Sequence, residues 1–265
     1  MKRLGYLTVF FAMIALFGVH VYAQPAQPVA ATNQAAAAAA PDTVDPGAIA
    51  ALNKMGEYLR SLKSFQVQAA TTRDEVLDDG QQIQRDSHVD LLARLPDRLR
   101  VEVNNADQHR LYLYDGKNLT VWGQRVNFYA TVAAPPTVAK LVTALDDKYD
   151  IRLPLQDLFL WGTTQSKVGD VKSAMDVGPT EVEGVTCEHY AFRQEGLDWQ
   201  VWIQQGDFPL PRRLVITTLS DDARPQYVAV LTWNLAPSFN DATFEFDPPP
   251  GAQKIAIAEQ PANAK

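Results

Sequence analysis

The chain has 265 residues, 46% of them hydrophobic, a formal net charge of −7 and a single cysteine, Cys187. This length is ample for burying a core, and one thiol excludes an internal disulfide, so packing must hold the fold together. The acidic balance argues against a protein that binds the phosphate backbone of nucleic acids.

Residues 1–23 have the three regions of a secretory signal peptide. Lys2 and Arg3 form its positive start, Leu7 to Val19 its apolar run, and Val21-Tyr22-Ala23 a small-x-small cleavage pattern. The apolar run is shorter than the roughly 20 residues of a membrane span, although an uncleaved anchor is the alternative. We predict export and cleavage after Ala23, which leaves 22 basic and 31 acidic residues, a net charge of −9.

Residues 24–44 are rich in Ala, Pro and Gln, with few large apolar side chains, and are predicted to form a flexible leader. Asp45 and Pro46 then predict a helix, with Asp as N-cap and Pro in the first turn. Apolar residues recur in it at steps of three and four: Ile49, Leu52, Met55, Leu59 and Leu62. Such a stripe is typical of a helix that packs on a sheet.

The stretch from Arg94 to Tyr129 predicts three consecutive antiparallel strands. Leu99, Val101 and Val103 alternate with polar residues, which is the period of a half-buried strand. Turn residues at short intervals extend this pattern into an antiparallel meander. The other predicted strands cover residues 65–72, 83–95, 126–131, 168–177, 180–182, 186–194, 199–204, 211–219 and 226–235.

Two helices are predicted in the middle of this β-rich chain, one capped by Thr137 and a shorter one after Pro154. Helices in this position are expected to cover the sheet, or to plug its mouth if the sheet curls. Phe244 and Phe246 are predicted to point inward near the C-terminus, and residues 256–265 to form a loose tail. With no linker between residues 45 and 255, we predict a single domain over that range.

Catalytic patterns are weak. Asp78 and Asp79 precede Gly80, so these carboxylates are interpreted as turn residues rather than as a catalytic pair. Cys187 and His189 share a strand face, yet a nucleophilic thiolate also needs an orienting third group, and Glu188 points the other way. We therefore expect a buried thiol and no enzyme activity.

Metal and cofactor motifs are also weak. His88 and Asp90 lie on one strand face, but two ligands do not make a metal site. The sequence has no Walker loop, no Gly-x-Gly-x-x-Gly and no Gly-x-Ser-x-Gly. We predict neither a metal nor a cofactor.

The five tryptophans are the candidate ligand-binding residues: Trp122, Trp161, Trp199, Trp202 and Trp233. Val201 and Ile203 flank Trp202, so this strand is predicted to be apolar on both faces. Such a strand is either sandwiched or lines a pocket, and binding pockets are mostly apolar. Two interpretations remain open: a ligand cavity lined by tryptophans, or ordinary core packing.

Several segments together carry a family resemblance. They are Leu59-Arg60-Ser61-Leu62-Lys63-Ser64-Phe65, Leu95-Pro96-Asp97-Arg98-Leu99-Arg100, Tyr114-Asp115-Gly116-Lys117-Asn118-Leu119, Pro209-Leu210-Pro211-Arg212-Arg213-Leu214 and Phe244-Glu245-Phe246 followed by Pro248-Pro249-Pro250-Gly251-Ala252. Behind a signal peptide, this set resembles the predicted periplasmic proteins called domain of unknown function 2092. More distantly, it is similar to lipoprotein carriers of the LolA/LolB type.

The resemblance implies an α+β fold: a strongly curved antiparallel half-barrel sheet of about ten or eleven strands, with helices covering the concave face. It also implies a periplasmic protein that binds an apolar ligand, such as a lipid or an acylated lipoprotein, in the half-barrel. We expect a monomer. The alternative is a protein–protein interaction module or envelope-stress sensor whose interior is filled and whose partner is an envelope protein.

Overall fold

The computed structural model describes residues 43–166 and 168–258. The predicted signal peptide, its cleavage site, the leader through residue 42 and the tail from residue 259 lie outside the described residues. The described helices are α1 (Pro46–Ser61), α2 (Val138–Tyr149) and α3 (Asp157–Leu160), with short 3-10 turns at Val168–Asp170 and Asp241–Phe244.

The described strands alternate with turns along most of the chain. They are β1 (Ser64–Val76), β2 (Gln82–Arg94), β3 (Arg98–Asn104), β4 (His109–Tyr114), β5 (Asn118–Gly123), β6 (Phe128–Ala133), β7 (Ser173–Val182), β8 (Val185–Gln194), β9 (Leu197–Gln204), β10 (Pro211–Thr218), β11 (Gln226–Asn234) and β12 (Gln253–Lys254).

One curved, open sheet contains all of these strands, in the order β12-β6-β5-β4-β3-β2-β1-β11-β10-β9-β8-β7. It consists of two meanders, β1 to β6 and β7 to β11, joined where β1 pairs antiparallel with β11. The helices α2 and α3 occupy the connection between the two meanders. The predicted meander is confirmed, including the three strands between Arg94 and Tyr129.

Strand register places the apolar residues on one face. Val67 pairs with Leu91, and Leu91 with Val101, so the alternating apolar positions of neighbouring strands line up. The main core combines this face with the helices, and its members include Leu52, Met55 and Leu59 of α1, Leu141 and Leu145 of α2, and Leu158 and Phe159 of α3. We call the side that packs on the helices the helix face, and the other side the outer face.

Both predicted helix N-termini are confirmed. The Asp45 carboxylate accepts a hydrogen bond from the backbone N–H of Gly47 at 2.7 Å. The Thr137 hydroxyl accepts one from the N–H of Lys140 at 3.3 Å. These side chains satisfy backbone donors that have no partner within the helix, which is why each helix begins where it does.

The predicted strands need three corrections. Within the described residues the sheet has twelve strands, not about ten or eleven. The segments predicted as strands 168–177 and 180–182 form one strand, β7, because Gly178, at φ 111°, makes a bulge rather than a turn. Residues 168–170 form a 3-10 turn instead of the start of that strand. Glycine supplies positive φ equally for a bulge and for a turn, so the local sequence does not distinguish them.

In addition, the pairing of the described strands is not antiparallel throughout. The two-residue strand β12 pairs in parallel with β6, where Gln253 lies beside Phe128. At the other end of the sheet, residues predicted as the last part of the leader also pair: Val44 forms a parallel bridge to Ala174. Both contacts join segments far apart in sequence, which short-range patterns do not report.

The segment around the C-terminal phenylalanines lies on the outer face. Phe244 is 1% exposed and lies under the Arg94 guanidinium, whose carbon is 5.4 Å from the ring centroid. The Phe246 ring lies 5.0 Å from that of Tyr129 and 5.9 Å from that of Trp122. Phe244 is buried as predicted, but against the side of the sheet opposite the helices.

Tyr114 is expected to make the fold less stable at alkaline pH. Its side chain is fully buried, its hydroxyl donates to the carbonyl of Pro135, and burial, with a smaller effect of the Asp97 charge, raises its pKa to about 12. The unfolded tyrosine ionises near pH ~10, so Tyr114 stabilises fully below that pH and loses its contribution as pH rises towards 12. We expect the urea concentration at the unfolding midpoint to decrease as the pH is raised from 8 to 11.

Tyr114→Phe should reduce that fall, although other tyrosines with raised pKa, such as Tyr190, keep part of it. An equally steep fall in Tyr114→Phe and wild type would contradict the assignment.

Candidate functional site: the helix-end cavity

Three of the five candidate tryptophans lie on the helix side of the sheet. Trp161 follows α3 and is 7% exposed, and Trp199 stacks on Phe192 with ring centroids 4.2 Å apart. Trp233 packs on Phe65 at 5.5 Å and donates its indole N–H to the carbonyl of Pro211. These rings are part of the main core or packed against it.

The other two tryptophans lie on the outer face, far apart in strand order. Trp122 on β5 contacts Phe246, while Trp202 on β9 belongs to a small second core with Cys187 and Val215. Strand β9 is therefore apolar on both faces, as predicted: Val201 and Ile203 lie in the main core and Trp202 on the other side. The five tryptophans do not surround one space, and binding by them stays a prediction.

Two polar groups pack on the Trp202 ring. The imidazole of His189 stacks on it at 3.9 Å, and the Arg213 guanidinium carbon lies 4.8 Å from its ring centroid. Nε2 of His189 is 2.9 Å from Oε1 of Gln200, and burial lowers the pKa of His189. The His189 imidazole therefore has a hydrogen-bond partner in Gln200 and a stacking partner in Trp202.

The Cys187 thiol is fully buried and donates to the carbonyl of Val185 at 3.3 Å. Burial raises its pKa, which disfavours the thiolate that a nucleophile needs. In the predicted turn, the Asp79 carboxylate accepts from the N–H of Gln81, as expected of a turn residue. Among residues 43–166 and 168–258, no group of three or more His, Cys, Asp or Glu side chains could hold a metal ion.

A cavity of about 380 Å³ opens where the ends of several elements meet. We call it the helix-end cavity. Its first wall is the end of α1, with Arg60, Leu62 and Lys63, and its second is the β2–β3 turn, with Leu95 and Pro96. The backbone N–H of Leu95 donates to the carbonyl of Lys63 at 2.8 Å, which holds the two walls together.

The third wall comes from the connection between the meanders. Thr137 and Ala139 at the start of α2, together with Phe159 and Thr163 at α3, complete the lining. The N–H of Val138 donates to the carbonyl of Pro96 at 2.9 Å, so the start of α2 is anchored to the β2–β3 turn. The cavity therefore lies between four segments, and backbone hydrogen bonds join three of them: the end of α1, the β2–β3 turn and the start of α2.

Two glycines allow α1 to approach the segment after α3. A Cβ placed on Gly56 would lie 2.8 Å from the backbone nitrogen of Gly162, and one placed on Gly162 would lie 1.4 Å from Nη1 of Arg60. Nη1 of Arg60 donates to the carbonyl of Trp161 at 3.1 Å. This close approach sets the distance between α1 and α3 and holds the Arg60 side chain at the edge of the helix-end cavity.

A second cavity, of about 290 Å³, lies under the C-terminal segment on the outer face. Its lining combines Phe244 and Phe246 with polar residues such as Asp115, Thr120 and Lys254. The Asp115 carboxylate is already occupied by the backbone N–H groups of Lys117 and Asn118. The helix-end cavity, with its mostly apolar lining, is the better candidate for an apolar ligand.

The sequence interpretation missed the residues that line the helix-end cavity. Arg60, Leu62 and Lys63 lie in the first segment that carried the family resemblance, and Leu95 and Pro96 in the second. The signal was therefore present, but these segments were interpreted as helix end and strand entry. Their convergence on one cavity requires the tertiary structure.

The structure is an α+β protein with one open, curved sheet. The chain belongs to a family of predicted periplasmic proteins, domain of unknown function 2092, whose model matches residues 48–258. The resemblance seen in the sequence is thereby confirmed. No curated protein is similar enough to the chain to count as a match. In the described part of the chain, no helix combines the length and hydropathy needed to cross a membrane.

Solved structures with similar folds come from several bacteria. An uncharacterized conserved protein from Thermus thermophilus is 12% identical, with a TM-score of 0.47, and the match covers 79% of this chain and 99% of that one. The lipoprotein LppX of Mycobacterium tuberculosis is 14% identical (TM-score 0.45; 74% and 100% covered). A LolA superfamily protein from Nitrosomonas europaea is 14% identical (TM-score 0.38; 75% and 97% covered).

Proposed function

We propose that the protein is a non-enzymatic periplasmic protein, cleaved after Ala23, that binds an apolar ligand such as a lipid or the acyl chain of a lipoprotein. The observation that carries this proposal is the helix-end cavity, which is mostly apolar and has a volume of about 380 Å³. Ligand pockets in proteins range from about 300 to 1,000 Å³ and are lined mainly by apolar side chains.

The sheet would be a half-barrel within a single domain, with the helices covering its concave face and the cavity at one end of the helix layer. A row of contacting aromatic rings extends from the cavity into the core. Phe159 lines the cavity and stacks on Phe65 at 6.2 Å, and Phe65 contacts Trp233 at 5.5 Å. Rotation of Phe159 would lengthen the cavity towards Trp233 and Trp161, the two tryptophans that we propose contact a longer acyl chain.

The proposal predicts that affinity rises with acyl-chain length. Burial of one methylene group contributes about 0.8 kcal/mol, or about fourfold in affinity, until the chain fills the available space. Isothermal titration of the mature protein, starting at Gln24, with saturated fatty acids of increasing length should show this series. Absence of binding at every chain length would refute the proposal.

A cavity-filling variant tests the location. Ala139→Trp places a large ring in the helix-end cavity and should abolish binding while the urea midpoint stays close to that of wild type. Ala50→Trp, on the exposed side of α1, is the matched control and should bind as wild type does. Equal binding by Ala139→Trp and wild type would place the ligand elsewhere.

The alternative is a protein–protein interaction module or envelope-stress sensor with a filled interior. The observation that favours it is the core, in which the buried residues of all three helices pack with the sheet. This alternative predicts no gain in affinity with chain length and no effect of Ala139→Trp on lipid binding, so the same titrations separate the two functions.

A further inference from the structure

The charge of the helix-end cavity differs from that of the whole protein. Its lining contains two basic residues, Arg60 and Lys63, and no acidic residue. The full chain has 24 basic and 31 acidic residues. The cavity lining is therefore positively charged, whereas the protein as a whole is negatively charged. Both cations lie at the C-terminal end of α1, where the chain turns into β1.

Neither cation is used in an ion pair of the described residues. The salt bridges of this part of the chain join other basic residues to acids, for example Arg94 to Asp241 and Arg193 to Asp198. Arg60 donates one of its five N–H groups to the carbonyl of Trp161, which orients the guanidinium, and the partial negative charge at the C-terminal end of α1 favours both cations there. Lys63 is exposed at the cavity edge.

Both cations are exposed, and they lie beside the apolar wall of the cavity. A cation beside such a wall attracts an anion more strongly than the same cation in open water. Hydrogen bonds from a cation to a carboxylate or phosphate are among the strong ones in proteins. Thr137 and Ala139 at the start of α2 line the same cavity, and the positive end of the α2 dipole offsets the negative end of the α1 dipole beside the two cations.

We propose that the ligand of the helix-end cavity is an anionic amphiphile, with its acyl chain among the apolar side chains and its carboxylate or phosphate head group held by Arg60 and Lys63. This inference rests on the proposed function, because it assumes that the cavity takes an acyl chain. It excludes neutral lipids and cationic amphiphiles as preferred ligands, which the apolar lining alone does not.

The test compares ligands that share one chain length and differ in the head group: dodecanoate, dodecyl phosphate, dodecanol and dodecylammonium. Isothermal titration of the mature protein at low salt should show both anions binding at least about tenfold more tightly than dodecanol, and dodecylammonium more weakly. Raising the salt concentration should reduce this preference, since partly exposed charges are screened. Acetate and inorganic phosphate, which lack the chain, should not bind measurably.

Substitution of the exposed lysine assigns the preference to the cavity. Lys63→Gln should weaken dodecanoate binding about five- to tenfold and leave dodecanol unchanged, while Lys63→Arg should retain the preference. Lys54→Gln, on the exposed side of the same helix, is the matched control and should bind both ligands as wild type does.

The two proposals fail in different ways. If dodecanol binds as tightly as dodecanoate, or if Lys63→Gln weakens both equally, the anionic head group is refuted while an apolar ligand site stands. If none of the four amphiphiles binds, the proposed function fails and this inference with it.

Discussion

Phe65→Ala is expected to lower the free energy of unfolding by about 3–5 kcal/mol, the range found for removal of a buried aromatic ring. Phe65 is 2% exposed at the start of β1, between the rings of Phe159 and Trp233. Neighbouring elements surround it: β2 and β11 on either side in the sheet, and α3 above. The space left by the ring is therefore bounded by packed structure and will close only in part.

Urea unfolding at constant pH measures this effect. Phe208→Ala is the control, because Phe208 is 51% exposed and its aromatic contact is limited to an edge-on approach to Tyr58. Loss of such a contact costs about 1 kcal/mol or less. A similar loss of stability in both variants would mean that Phe65 is not held as the structure describes.

The cavity should respond to the same substitution. Phe159 lines the helix-end cavity and rests on Phe65, so removal of the Phe65 ring allows Phe159 to move inward. We expect Phe65→Ala, under conditions where it remains folded, to shift the optimal acyl chain to a greater length. An unchanged chain-length optimum would contradict the proposed path towards Trp233.

Gly56→Ala is expected to destabilise the protein by about 1–3 kcal/mol, the usual cost of overpacking. This sign is opposite to helix propensity, because alanine in a helix interior is favoured over glycine by about 1 kcal/mol. The new methyl group would lie 2.8 Å from the backbone nitrogen of Gly162 and 3.0 Å from the carbonyl carbon of Trp161. Backbone atoms do not rotate away as a side chain does, so α1 and the segment after α3 must separate.

Asn53→Ala is the matched control on the same helix. Asn53 is exposed, so this change should leave stability equal or slightly higher. Thermal unfolding of both variants measures the difference. A more stable Gly56→Ala variant would show that α1 and the segment after α3 do not approach as closely as described.

The same variant bears on ligand binding. Separation of α1 from the segment after α3 would break the hydrogen bond from Arg60 to the carbonyl of Trp161. Gly56→Ala should therefore weaken binding of an anionic amphiphile as well as stability, whereas Asn53→Ala should change neither.

Most secondary structure was predictable because its signals are local. Asp45 and Thr137 cap their helices through hydrogen bonds to residues two and three positions away. The alternation of Leu99, Val101 and Val103 is a property of one strand, and the structure buries all three. Where a local signal has two meanings, as at Gly178, the prediction was wrong: a bulge was taken for a turn.

The candidate site was less predictable, and the tryptophans show why. An apolar strand position predicts burial but not the face of the sheet on which the residue is buried. Trp199 and Trp202 are three residues apart on β9, and they lie on opposite faces in two different cores. Burial of both was foreseeable, whereas their separation depends on what covers each face.

Four properties could be predicted from the sequence: the acidic charge, the starts of α1 and α2, the alternation of the strands and the family of the chain. These follow from composition, from contacts within a few residues and from the order of short motifs. The tertiary structure alone decided that β1 pairs with β11, that the C-terminal segment covers the outer face and that Arg60, Lys63, Leu95 and Phe159 meet around one cavity. These contacts join residues tens of positions or more apart, and packing against the completed sheet determines them.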